Sequence, residues 1–192
     1  MARLKIRDSG RGLNERDREQ IRRSFRDALR IASSVKDEID DIWNQSGRVQ
    51  KRRKKRRNAW SAHENFTTWF GTSRRHILIR RVRRRIHKIH RWLDSARIVV
   101  IAEGARDRLC RGATAFATVP RRPLKVHLCQ PWFTLSDSRR AAIIIHELVH
   151  ELGFRHPGGA TSAMTALALA RRNSRKARRS PENYEHLYEL YF

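Results

Sequence analysis

The sequence predicts an α+β fold: a helical N-terminal half, then a small sheet and further helices. Three observations predict it. Over Ile21–Ile42 and again over Ile79–Leu93, apolar residues recur at alternating spacings of four and three, the period of helices with one buried face. From Arg97 the period changes to short β-branched runs of strand length. From Ser136 the helical signal returns, now apolar on nearly every side, which marks a buried helix. At 192 residues the chain is long enough to bury a sizeable core without a disulfide framework.

The elements follow in order. Residues 1–13 alternate charged with apolar side chains and are predicted to be a flexible basic tail, leaving 14–192 as a single domain. Residues 14–45 read as one amphipathic helix with Ile21, Phe25, Ala28, Ala32, Val35, Ile39 and Ile42 on one face. Asn14 and Asp17 offer an N-cap, and Gly47 a stop. Trp60, Phe66, Trp69 and Phe70 form an aromatic cluster ended by Gly71. A second amphipathic helix is expected from about Ser73 to Ser95, completing a helical subdomain over 14–95. A second subdomain would then cover 96–192. In it, Arg97–Ala102, Ala113–Val119 and Leu124–Cys129 read as strands, the last two separated by Pro120–Pro123. Ser136 or Asp137 can cap the apolar helix, which Pro157–Gly159 breaks. Residues 162–171 and 181–191 are two further short helices, the second with Ser180 and Pro181 as a favourable start.

Charge is concentrated. The formal net charge is +25, and residues 48–97 hold 18 basic against 2 acidic side chains, including the run from Lys51 to Arg57. Such a segment attracts any polyanion: nucleic acid, an anionic membrane or an acidic protein surface. No apolar run approaches the ~20 residues of a membrane-spanning helix. The N-terminus lacks a signal-peptide core, so the expectation is a soluble chain that is either cytoplasmic or exported by a signal-peptide-independent route.

The chemistry lies in the apolar helix, at His146-Glu-Leu-Val-His150. Histidines at i and i+4 share one helical face, so their imidazoles can converge on one metal ion. Glu147, beside the first of them, can reach water at that metal as general base. Three polar residues inside an apolar helix cost several kcal/mol unless paired, and a metal site pairs them. The string continues through Gly153, suited to the left-handed turn that ends a helix, to His156. His146, His150 and His156 then make three ligands with a fourth position open, the arrangement of a catalytic zinc site with one Zn2+ per chain. The whole string matches the metzincin pattern. Met164, in an apparent helix rather than the loop of a Met-turn, reads as core.

The surroundings of the motif resemble the deuterolysin-like, lysine-specific metallo-endopeptidases, the aspzincins. The segments that carry this resemblance are Val126–Phe133 with Arg139–His150, Ala166–Arg171 and Ser180–Tyr188, with Trp69-Phe70-Gly71 as a further likeness. It implies a zincin-like fold and a zinc metalloendopeptidase acting on protein or peptide substrates, with Glu147 as catalytic base. The family's third ligand is an Asp, yet no Asp follows Asp137 here, and His156 lies near where bacterial-type members place it. The family's oxyanion-stabilising Tyr corresponds to Gly159. Tyr184, Tyr188, His186 and Arg155 are the candidates for that role. The resemblance also implies a bridge between Cys110 and Cys129, with an oxidising destination, against two independent buried thiols.

Size, charge and resemblance together suggest a bacterial secreted effector or toxin. Two alternatives differ in class. One is an intracellular zinc protease recruited to DNA by the basic segment. The other is a non-catalytic basic nucleic-acid-binding module with a structural zinc.

Overall fold

A capping box begins the first long helix in the computed structural model, which describes residues 1–72, 75–117, 123–159 and 161–192. The Asn14 side chain accepts from the Asp17 backbone N–H, and the Asp17 carboxylate accepts from Asn14. Helix α1 (Glu15–Trp43) then buries the predicted stripe from Ile21 to Ile42. It packs against α4 (His76–Ser95), which buries Ile79, Val82, Ile86, Ile89 and Leu93. The expected start of that helix, Ser73, lies outside the described residues.

Between them run α2 (Val49–Ala62) and α3 (Glu64–Phe70). The basic run is thus helical, although it has no apolar stripe. Its one buried residue is Trp60, which stacks on Phe70 and donates from Nε1 to the Gly71 carbonyl at 3.0 Å. Gly71 has φ +68°, and a Cβ there would lie 2.6 Å from the Ala170 carbonyl oxygen, so the turn after α3 needs glycine.

Among the described residues the sheet has four strands, in the order β1-β2-β4-β3. β2 (Arg97–Glu103) and β4 (Leu124–Leu128) form its centre; β3 (Ala115–Ala117) runs antiparallel to β4 at one edge. β1 (Arg3–Ser9) pairs in parallel with β2 at the other edge. The N-terminal segment is therefore not a flexible tail. Asp8 accepts backbone N–H groups from Arg11, Gly12 and Leu13, at 2.8, 3.2 and 2.7 Å, and turns the chain toward α1. The Arg11 guanidinium lies 3.6 Å from the Phe133 ring centroid. The end of the expected second strand, Thr118 and Val119, and residues 120–122 of the β3–β4 connection lie outside the described residues.

Helix α5 (Asp137–His150) lies against α1 and the last helix, α8 (Pro181–Glu189). The Ser136 hydroxyl caps α5, and every residue from Arg140 to Ile145 is buried. Gly153, with φ +82°, turns the chain after α5. Helices α6 (Ala163–Arg172) and α7 (Ser174–Ala177) complete the α+β fold. One hydrophobic cluster joins α1, α3, α4, the sheet, α5 and α8. Two side chains depart from expectation. Met164 is 78 % exposed in the first turn of α6, so it is not core. Ser180 and Pro181 do take the start of α8, but the Ser180 hydroxyl makes no capping bond and donates to the Glu182 carboxylate at 2.9 Å. No described helix is long and apolar enough to cross a membrane.

Candidate active site

The apolar period of α5 buries the helix and leaves His146, Glu147 and His150 where its C-terminal end meets a cleft of about 540 Å³. The cleft is bounded by α5, by the segment entering β3, by the start of α6 and by α8. Cys110 and Cys129 form a disulfide, with Cα atoms 5.5 Å apart. It ties the end of β4 to the loop that supplies Gly112–Ala115 to the rim.

Helical spacing and the Gly153 turn bring three imidazoles together. His146, His150 and His156 each offer a nitrogen, and the three lie within 4.8 Å of one another. Each ring is held by its Nδ1. That of His146 lies 2.7 Å from Glu185 Oε2, that of His150 lies 2.7 Å from the Phe154 carbonyl, and that of His156 bonds Glu182. An Nδ1–H spent on an oxygen leaves the Nε2 lone pair to face the centre. The Nε2 atoms of His146 and His150 are 3.1 Å apart. Two lone pairs that close repel, so a proton or a metal cation must lie between these nitrogens. A tetrahedral zinc with Zn–N of about 2.0–2.1 Å sets its nitrogens about 3.3–3.4 Å apart, so the donor set fits zinc.

The electrostatics match this use. Burial, together with the neighbouring His146 ring, pushes His150 down to about 4, which keeps it in the neutral form that ligates metals. Burial also opposes charge on His146, but the Glu185 hydrogen bond and the Glu147 charge outweigh it and raise its pKa. Glu147 is 4 % exposed, and burial drives its carboxyl up to about 7 against the pull of His146. One of its oxygens, Oε2, has no partner among the described residues. A carboxyl held near neutrality beside three imidazoles is suited to accepting and returning a proton.

Of the four side chains considered for the oxyanion, His186 lines the cleft, stacked on Trp69 with centroids 5.0 Å apart. Tyr184 and Tyr188 do not. Both are fully buried, Tyr184 against Phe70 with its hydroxyl 3.3 Å from the Arg178 carbonyl. Arg155 is exposed and does not line the cleft. Sequence reasoning missed Glu182, Glu185 and Arg139. Arg139 reaches Glu185 at 2.7 Å, so α5 and α8 are joined by a chain of charge around His146. The available signal was in α8, where Glu182, Asn183 and Glu185 punctuate an otherwise core-like helix.

A family model described as lysine-specific metallo-endopeptidase, of aspzincin type, matches residues 55–189. Among solved structures, a zinc peptidase from Grifola frondosa is similar, with a TM-score of 0.57 and 18% identity, covering 86% of this chain and 93% of that chain. At that identity the likeness concerns the fold. No curated protein matches the sequence.

Proposed function

The chain belongs to the lysine-specific metallo-endopeptidase (aspzincin) family and is a zinc metalloendopeptidase, and on that premise we propose that His146, His150 and His156 hold the ion and Glu147 is the general base. The observation that carries this reading is the convergence of three Nδ1-anchored imidazoles beside the buried Glu147 carboxyl. Bound zinc would supply a Lewis acid that polarises the scissile carbonyl and acidifies water. Glu147 takes the proton from the attacking water through its unpartnered Oε2, then returns it to the leaving amine. Glu185, Phe154 and Glu182 keep the three rings in one tautomer and orientation, which holds each Nε2 ready as a donor. β3 is an edge strand beside the cleft, a surface on which an extended peptide can lie. His186, on the cleft wall, is the side chain proposed to stabilise charge on the carbonyl oxygen.

Metal analysis of the wild type beside His156→Ala, followed by cleavage of a peptide library, tests the assignment. The expected result is one zinc per wild-type chain, with both zinc and cleavage lost in the variant. Stoichiometric zinc and undiminished cleavage in His156→Ala would remove His156 from the ligand set.

The role proposed for the peptidase is that of a secreted effector or toxin. The Cys110–Cys129 disulfide supports an oxidising destination. The basic helices α2 and α4 are proposed to dock polyanions through residues 48–97 during targeting or substrate capture. Recruitment to DNA is the second reading, favoured by the same basic surface. It predicts cleavage stimulated by duplex DNA and a steep salt dependence of DNA affinity. Cleavage indifferent to DNA would reject it.

A further inference from the structure

Arg178 follows α7 and is 3 % exposed. Its Nη2 donates to the carbonyls of Gly71 and Thr72, at 3.3 and 2.7 Å, and its guanidinium lies 5.7 Å from the Trp60 ring centroid. Nε and Nη1 are buried with no partner among the described residues. Burial, with Arg85 acting in the same direction, pushes its pKa down to about 10, which still leaves it cationic at neutral pH. A buried cation with donors unspent is costly until an anion completes it.

The surroundings supply more cations rather than an acid. Arg178 lines a pocket of about 210 Å³ together with Leu78, Arg81, Arg85, Arg175 and Arg179. No carboxylate lines it, and none of the five arginines takes part in an ion pair among the described residues. Some arginines elsewhere do meet acids: Arg22 and Arg26 meet Glu19, and Arg83 meets Asp40. The fold holds these like charges together. Arg85 and Arg179 lie 4.3 and 5.5 Å from the Phe154 ring centroid, and Arg85 also donates to the Arg178 carbonyl. Guanidinium forks converging on a small concavity match the tetrahedral oxygens of phosphate, which they bind bidentately.

We propose that this pocket is a phosphate-binding site, separate from the zinc centre, with Arg178 on its buried side and Arg81, Arg85, Arg175 and Arg179 as its outer ligands. Its five positive charges call for a small molecule carrying more than one phosphate group. Its confined volume favours such a molecule over an extended nucleic-acid backbone.

Calorimetric titration of the full zinc-loaded chain with tripolyphosphate, at physiological ionic strength, tests this. Two double variants separate the pocket from general charge. Arg81→Ala/Arg175→Ala removes two exposed pocket arginines, and Lys51→Ala/Lys54→Ala removes the same charge from the exposed basic run. The expected result is saturable binding of one molecule per chain, weakened about tenfold or more by the pocket pair. The control pair should keep wild-type affinity. Arg178→Lys, checked for folding by thermal unfolding, should also lose affinity because the charge stays and the fork goes. If that variant fails to fold, the surface pair decides. Absence of saturable binding, or equal weakening by both pairs, would overturn the site. A duplex oligonucleotide that binds more tightly than tripolyphosphate and responds to both pairs would also overturn it, in favour of a diffuse nucleic-acid contact.

Discussion

His146 Nδ1 lies 2.7 Å from Glu185 Oε2, a bond that spans 39 residues and fastens the central helix to the last one. The imidazole cannot rotate without breaking it, and the other oxygen of Glu185 is held by Arg139 at 2.7 Å. Replacing Glu185 by Gln should therefore weaken zinc binding by about 10–100-fold with little change in fold. Competition with a chromophoric chelator measures it. Glu182→Gln, which disturbs His156 in the same way, should behave alike.

The tyrosines and His186 should separate in kinetics. His186→Ala is expected to lower kcat on the order of 10²-fold with KM little changed, as the loss of one oxyanion donor does. Tyr184→Phe should leave kcat unaltered, because the Tyr184 hydroxyl is spent on the Arg178 carbonyl inside the core. Steady-state cleavage of one peptide by both variants checks this.

The disulfide closes a loop with a sequence separation of 19 between its ends. Loop-closure entropy for such a loop is about 3 kcal/mol. Cys110→Ser should lower the free energy of unfolding by about 2–3 kcal/mol in urea titration. A reducing agent should do the same to the wild type and nothing further to the variant.

Asp40 gathers Arg83 Nε at 2.6 Å, His87 Nε2 at 2.8 Å and Lys36 Nζ at 3.2 Å, joining α1 to α4. Partial burial raises its pKa, but the hydrogen bonds from His87, Arg83 and Lys36 outweigh it and leave the carboxyl below its ordinary 3.8. A depressed folded pKa means the stabilisation is complete above the unfolded value and lost as pH falls through the folded one. Asp40→Asn should thus cost about 1–3 kcal/mol at neutral pH. The cost should shrink as the pH is lowered below 3.8, which paired urea titrations would follow.

The parts of this protein legible in its sequence are those whose signal is local. The stripe from Ile21 to Ile42 is a helical period, and three polar residues in the apolar run of α5 announce a site. β1 is obscured because it is an edge strand with Arg3, Lys5 and Arg7 exposed, so its alternation looks like a charged tail. α2 is obscured because a helix whose one buried residue is Trp60 leaves no apolar stripe to detect. The partners of the histidines are out of reach for another reason. Glu182 and Glu185 meet His156 and His146 only once α8 packs on α5, and no spacing along the chain encodes that.

Glu147 is proposed to move the proton while three histidines hold the metal, and Glu147→Gln separates the two roles. Zinc content and peptide cleavage would be measured on one preparation, beside wild type stripped by a chelator. The expected result is one zinc per chain with cleavage reduced by about 10²–10⁴-fold in Glu147→Gln, and cleavage lost from the stripped wild type until zinc is restored. A Glu147→Gln protein that keeps its zinc and cleaves at the wild-type rate would contradict it.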